Sequence, residues 1–199
     1  VLPDGRRVDL EVDRGCQQLK GENFVNDGKQ LVYHEQENGK RIQWHTLSVP
    51  HGGEYKLVLA DGTRVWLNAA SELMYPDHFS ADQRKVVLKG EAYFEVTKDV
   101  KRPFSVVLGD MEVKVLGTSF NVSAYPGVKR QTTLIEGQVA VNWHRQQVVI
   151  RPGQQAAETD EGLRVASVNV MNYVGWKEHR FVYENKLLGE VLEDLERWY

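Results

Sequence analysis

The sequence predicts a mainly β fold, an antiparallel β-sandwich or a twisted, solenoid-like stack, followed by the opening of a smaller, incomplete α+β module. Three observations carry this. Asp, Asn or Pro precedes Gly at 4–5, 27–28, 38–39, 61–62, 126–127 and 152–153. These dipeptides separate short runs rich in β-branched and aromatic residues. One run of helical spacing stands at the far end. Glycine after Asp or Asn supplies the positive φ of tight hairpin turns, so punctuation at this density argues for short antiparallel strands.

The elements follow in order. A hairpin is expected from Lys29–Glu35 to Lys40–Val49 across Asn38-Gly39. The best-formed hairpin spans 55–67: Tyr55, Leu57 and Leu59 share one face by period two, and Val65 and Leu67 do so after Asp61-Gly62. Further strands are expected at Val86–Leu88, Ala92–Val96, Phe104–Leu108, Met111–Leu116, Ser119–Ala124, Thr132–Ile135, Val139–Trp143 and Val148–Ile150. Two internal echoes appear: 2–10 resembles 59–67, and 88–96 resembles 134–141. In the second pair an apolar strand meets a glycine and then resumes. Stacked, similar strand–turn–strand layers would give this pattern.

Near the end the composition changes. Phe181-Val182-Tyr183-Glu184-Asn185 reads as a short strand. Leu187, Leu188, Val191, Leu192, Leu195 and Trp198 then recur at helical spacing, with Glu190, Glu193, Asp194 and Glu196 between them and Asn185 as N-cap. The division expected is a β domain over 1–173 and the start of an α+β module over 174–199. The first residues already lie in a strand-like pattern and the last follow a helical one. The chain therefore reads as a piece of a longer protein, with any anchor or targeting segment outside it.

Bulk properties narrow the function. At 199 residues there is room for one sizeable domain and a small appendage. A net charge of −3 removes the sequence-wide electrostatic case for nucleic acid. The one cysteine, Cys16, forms no intrachain disulfide. No apolar run approaches the ~18 residues of a membrane span.

Reactive constellations fail one by one. The six histidines, His34, His45, His51, His78, His144 and His179, stand at no zinc-motif spacing. Glu91 and Glu95 share a strand face, but i and i+4 in a strand are about 13 Å apart, wider than a glycosidase carboxylate pair. A solvated face accounts for them. Gly117-Thr118-Ser119-Phe120 lacks the second glycine of a nucleophile elbow, and nothing nominates a histidine for Cys16. No phosphate-binding glycine loop exists. Trp44, Trp66, Trp143, Trp176 and Trp198 suit packing, though exposed ones could stack on sugars. No catalytic, cofactor or metal residue is expected, and the protein is read as no enzyme.

The residues do resemble a family. The run from Thr46 to Ala69, containing Val49-Pro50-His51-Gly52-Gly53 and Leu59-Ala60-Asp61-Gly62-Thr63-Arg64-Val65-Trp66-Leu67, is similar to the opening block of FecR-like regulators of Bacteroides-type bacteria. Tyr75-Pro76, Leu88–Val96, Lys101-Arg102-Pro103-Phe104, Val113–Val122, Thr133-Leu134-Ile135-Glu136-Gly137 and Arg151-Pro152-Gly153-Gln154-Gln155-Ala156 follow in the family's order. Trp176–Asn185 with the helix after it resembles the start of that family's C-terminal domain, itself like the short N-terminal module of secretins and TonB-dependent receptors. The first ~45 residues match less distinctly.

The resemblance implies an anti-sigma factor: a cytoplasmic segment holding an extracytoplasmic-function sigma factor, one membrane span upstream of this chain, and this periplasmic part. It implies that an outer-membrane TonB-dependent transporter presents its N-terminal signalling domain to the periplasmic part. An edge strand can accept another strand by β-augmentation. The partner-binding candidates are accordingly His179, Arg180, Phe181, Val182 and Tyr183 as the strand, with Leu187, Val191 and Leu195 as the helix face beneath it. The alternative from another class is a carbohydrate-binding or glycan-processing β-sandwich, which an exposed row of tryptophans on one sheet would favour.

Overall fold

The computed structural model describes residues 1–2, 4–6, 24–26, 30–33, 41–184 and 187–199. Among them fifteen strands form one hydrogen-bonded network of two sheets. The first sheet runs β1 (Phe24–Asn26), β2 (Gln30–Tyr33), β4 (Tyr55–Val58), β5 (Arg64–Leu67), β7 (Arg84–Glu95), β10 (Ser119–Ala124), β11 (Gln131–Glu136), β14 (Gln154–Thr159) and β15 (Gly162–Ser167). The second runs β3 (Trp44–Val49), β6 (Ser71–Pro76), β7 again, β8 (Phe104–Leu108), β9 (Met111–Val115), β12 (Val139–Trp143) and β13 (Gln146–Ile150). Pairing is antiparallel except for β2 with β4 and β7 with β8. Helix α1 (Met171–Val174) continues into a 3₁₀ turn over Gly175–Glu178, and α2 (Leu188–Glu196) follows. The mainly β class stands as read.

The twelve-residue β7 joins the sheets. Its first half pairs with β6 and β8, its second with β5 and β10. The corner is Gly90, at φ +92°, where a Cβ would lie 2.7 Å from Ser71 Cα. Only a residue without a side chain lets the two backbones approach so closely. Gly137, at φ +95°, makes the opposite crossing between β11 and β12. The echo between 88–96 and 134–141 therefore marks two glycine corners at which the chain changes sheet. The other echo is a repeated turn. Leu2 N–H donates to the Arg6 carbonyl (2.8 Å) and Gly5 N–H to the Leu2 carbonyl (2.9 Å). Leu59, Thr63 and Gly62 repeat both bonds at 2.9 Å.

The inner faces share one core. Val65, Phe94, Phe120 and Leu134 of the first sheet pack with Leu88, Phe104, Val106, Val113 and Val141 of the second. Phe94 stacks on Phe120 at 5.1 Å and reaches Phe104 at 6.1 Å. Each such side chain contributes roughly 1.5–3 kcal/mol on burial. At the start of β7 the fully buried Arg84 ties the core's rim together. Its Nη1 donates to Asp61 Oδ2 (2.7 Å) and the Thr97 carbonyl (2.8 Å), and its Nε to the Arg102 carbonyl (2.9 Å).

Several expectations are corrected. The strands expected to form a hairpin across Asn38-Gly39 lie in different sheets: β2 pairs with β1 and β4, while β3 pairs with β6. β3 buries His45, Leu47 and Val49, which stand opposite Tyr75, Leu73 and Ser71 of β6. The strands expected at 86–88 and 92–96 are one strand bent at Gly90. β1, β6, β14, β15 and α1 were not foreseen. Phe181–Tyr183 is not a strand. The chain leaves the 3₁₀ turn through His179 at φ 56°, the Arg180 N–H donates back to the Gly175 carbonyl (3.0 Å), and the Phe181 ring packs edge-on against Trp198 at 5.0 Å. Cys16, His34, the Asn38-Gly39 turn and the Asn185 cap lie outside the described residues.

Candidate functional site

The outer face of the first sheet carries two rows of side chains that period two turns away from the core. Lys56, Trp66, Tyr93, Asn121, Thr133 and Gln155 are successive cross-strand neighbours in one row. Asn68, Glu91, Ser123 and Gln131 make the next. Residues 171–184 and 187–199 lie across these rows. Val174 and Trp176 are buried against Tyr93, with Trp66, Ile135, Val170 and Trp198 packed around them. The Lys177 ammonium stands 4.5 Å from the Tyr93 ring centre and 5.7 Å from that of Trp66, within cation–π range.

Helix α2 is fastened at its C-terminal end. Gly52 N–H donates to the Arg197 carbonyl (2.8 Å), and His51 Nδ1 lies 3.2 Å from the Glu196 carbonyl oxygen. The Arg197 guanidinium stacks over Tyr125 at 4.1 Å and pairs with Asp194 at 2.7 Å. None of the helix's residues is fully buried. Leu187 and Leu188 at its start are 72% and 73% exposed and Leu192 is 53% exposed, so its apolar side is largely uncovered.

Under this segment lies Glu91. Asn68 Nδ2 donates to one carboxylate oxygen (2.7 Å) and Asn121 Nδ2 to the other (2.8 Å). Asn121 Oδ1 in turn accepts from Trp176 Nε1–H (3.3 Å). Burial is the largest influence and raises the Glu91 pKa to about 7. The two amide donors and the Arg197 charge oppose it. Beside Glu91 is a cavity of about 90 Å³, also lined by Tyr125, Asn172, Arg180, Tyr183 and Asp194. Burial likewise raises the Tyr125 phenol, whose hydroxyl donates to the Ala69 carbonyl (2.9 Å).

One carboxylate held by two amides can hold or release a proton and can fasten the covering segment. Glu95, its neighbour on the strand, is paired separately with Arg64. Among the described residues no three His, Cys, Asp or Glu side chains are grouped to hold a metal ion. Neither carboxylate is the freely solvated group the sequence suggested. The signal for Glu91 was Asn121, an amide in mid-strand, where asparagine is depleted.

The nominated partner-binding residues are scattered over this segment. His179 sits in the turn, 3.5 Å from Glu54, and Arg180 lies 3.8 Å from Glu178. Phe181 leans on Trp198, Val182 is exposed, and Tyr183 is half-buried, its phenol raised by burial. Leu187 is exposed, whereas Val191 and Leu195 are half-buried. The five tryptophans form no exposed row. Trp66, Trp176 and Trp198 belong to the packed cluster, Trp143 Nε1–H donates to Asp110 (3.0 Å), and Trp44 stands in β3.

Comparison with known proteins supplies the family. The family model described as FecR protein matches residues 45–140, from β3 into β12, and so takes in Arg84, Glu91 and Asn121. No curated protein matches the chain. Two crystal structures of a putative anti-sigma factor from Parabacteroides distasonis ATCC 8503 superpose with a TM-score of 0.75 at 32% identity, over 78% of this chain and 75% and 74% of theirs. The family is regulatory rather than enzymatic. On that identity, over that share of both chains, this chain belongs to the FecR family of anti-sigma factors.

Proposed function

We propose that this chain is the periplasmic sensor part of a membrane-anchored anti-sigma factor. It relays a signal from a TonB-dependent outer-membrane transporter to an extracytoplasmic-function sigma factor. Family membership supports the regulatory role and a sigma-factor partner. The relay is a reading of the C-terminal segment. The single observation that carries it is the uncovered apolar strip formed by Leu187, Leu188 and Leu192, with Phe181 and Val182 exposed just before it.

In this reading residues 174–199 open a second module, with the division falling inside α1. The transporter's N-terminal signalling domain docks on them. Among the described residues Phe181 and Val182 belong to no sheet ladder and are exposed, which suits this stretch to receive a strand while the α2 leucines receive apolar side chains. The sigma factor is held by a cytoplasmic segment outside this chain, and the membrane anchor lies upstream of residue 1. No helix among the described residues is long and apolar enough to cross a membrane.

Titration of this chain with the purified signalling domain tests the reading. Val182→Pro removes a backbone donor and fixes φ, and is expected to weaken binding about tenfold, roughly 1.4 kcal/mol. Equal binding by the variant rejects strand addition, and no binding by the unaltered chain rejects the partner.

A further inference from the structure

The second sheet ends at β3, whose only strand partner among the described residues is β6. Its other side is already touched at one point. The Val1 amine donates to the Thr46 carbonyl (2.5 Å), and the Thr46 N–H donates to the Val1 carbonyl (3.0 Å). Two residues that exchange both bonds form a hydrogen-bonded pair of an antiparallel ladder. The faces agree with that register. Val1 is exposed opposite the half-buried Thr46, and Leu2 is buried opposite the buried His45.

The alternation along β3 fixes what else points off this side. Trp44 stands opposite Pro76, which has no N–H to give, so Trp44, Thr46 and Ser48 turn their backbone groups away from β6. The Ser48 N–H and carbonyl have no partner among the described residues. The turn after Leu2 points the same way. It repeats the two bonds of the turn at Leu59–Thr63, and the residues before that turn, Tyr55–Val58, are strand β4. The corresponding place in the first echo belongs to Val1 and the residues upstream of it.

We propose that the residues immediately upstream of Val1 form a strand that adds to the free side of β3. This rests on the reading above, in which the chain continues upstream toward a membrane anchor. Each step back from Val1 moves one residue along β3 from Thr46, so the upstream residues stand opposite Leu47, Ser48 and Val49 in turn. The second of them meets the unpaired backbone groups of Ser48. The first and third share the inward face of Leu47 and Val49, beside a cavity of about 650 Å³ that Leu31 and Tyr55 also line. Those two positions are therefore apolar, as Leu57 and Tyr55 are in the echo, and the one between them faces solvent.

The added strand is antiparallel to β3, so the tether enters the body beside Val49 and Pro50. His51 and Gly52, the next two residues, contact the last carbonyls of α2. Tether and docking segment then abut the same turn.

Hydrogen exchange by NMR tests the placement, comparing this chain with one lengthened upstream by its natural residues. The Ser48 amide should exchange near its intrinsic rate in the shorter chain and at least about a hundredfold more slowly in the longer one. The Leu47 amide, turned toward β6, should be protected alike in both. Ser48→Pro removes the edge donor at a position where proline is tolerated. It should leave the unfolding midpoint of the shorter chain nearly unchanged and open the upstream residues of the longer chain to protease. A Ser48 amide equally fast in both unaltered chains overturns the proposal, as do charged residues at both the first and third upstream positions. Protection that grows with the concentration of the shorter chain assigns the edge to a second copy, and protection that needs added transporter domain assigns it to a partner's strand; either overturns the proposal. The comparison of the two chains involves no transporter domain or sigma factor and does not depend on where the upstream residues lead, so its failure leaves the docking role to its own test.

Discussion

The β-body and the C-terminal segment invert each other's balance of buried and exposed apolar side chains. In the body, leucines, valines and phenylalanines from two sheets close on one another, and even an arginine is wholly enclosed with its partners. Among the described residues of 171–199 only Val174, Gly175 and Trp176 are buried, while Leu187 and Leu188 at the start of α2 are mostly open. Local opening free energies follow the apolar contacts an element would lose. The body should therefore unfold as a unit, and the segment should lift off at far smaller cost. One part supplies a rigid platform; the other can change place without unfolding it.

The sharpest test of the body's unity is Arg84→Met. The side chain joins the turn at Asp61, the Thr97 carbonyl and the Arg102 carbonyl, with its guanidinium 5.5 Å from the Phe104 ring centre. Removing it leaves Asp61, nearly buried, without its cationic partner, although Thr63 still donates to it (2.8 Å). Breaking one half of a buried ion pair costs about 3–5 kcal/mol. Denaturant unfolding should show that loss in one cooperative transition. If Arg84→Met unfolds in two steps, the body is not one unit.

Trp176→Ala should behave differently. In a large core such a truncation costs about 3–5 kcal/mol. Here the loss of global stability is capped by the free energy holding the segment down, because once the segment opens the body no longer depends on it. The expected result is strong loss of protection across 171–199 with a smaller shift of the unfolding midpoint than Arg84→Met gives. Equal shifts would erase the distinction between the rigid body and the covering segment.

The sequence revealed the two regions unevenly. The hairpin at 55–67 was readable because its turn chemistry and its period-two faces agree, and the structure pairs Tyr55 with Leu67 and Leu57 with Val65. The partnering of β3 with β6 was not, since it joins strands whose intervening chain passes through two strands of the other sheet. β15 escaped notice because four of its six residues are exposed, which leaves no alternation to see. At the candidate site the helix was legible from its spacing. Glu91 was not, because a carboxylate on an outward strand face looks solvated until the tertiary fold lays Trp176, Asp194 and Arg197 across it.

The smallest expected effect compares two side chains that solvent sees alike. Leu192 on α2 is 53% exposed and Val149 on β13 is 50% exposed. Each changed to Ser should alter stability by no more than about 0.5 kcal/mol, as surface positions do. Their effects on partner binding should separate. An apolar side chain at the centre of a docking patch typically contributes about 1 kcal/mol or more, so Leu192→Ser should weaken the transporter signalling domain roughly fivefold. Val149→Ser lies on an edge strand of the second sheet, pairing only with β12, and should leave binding unchanged. Calorimetric titration distinguishes the outcomes. Weakening by Val149→Ser alone would move the docking surface to the body, and equal weakening by both would mean that exposed apolar area, wherever it lies, governs the association.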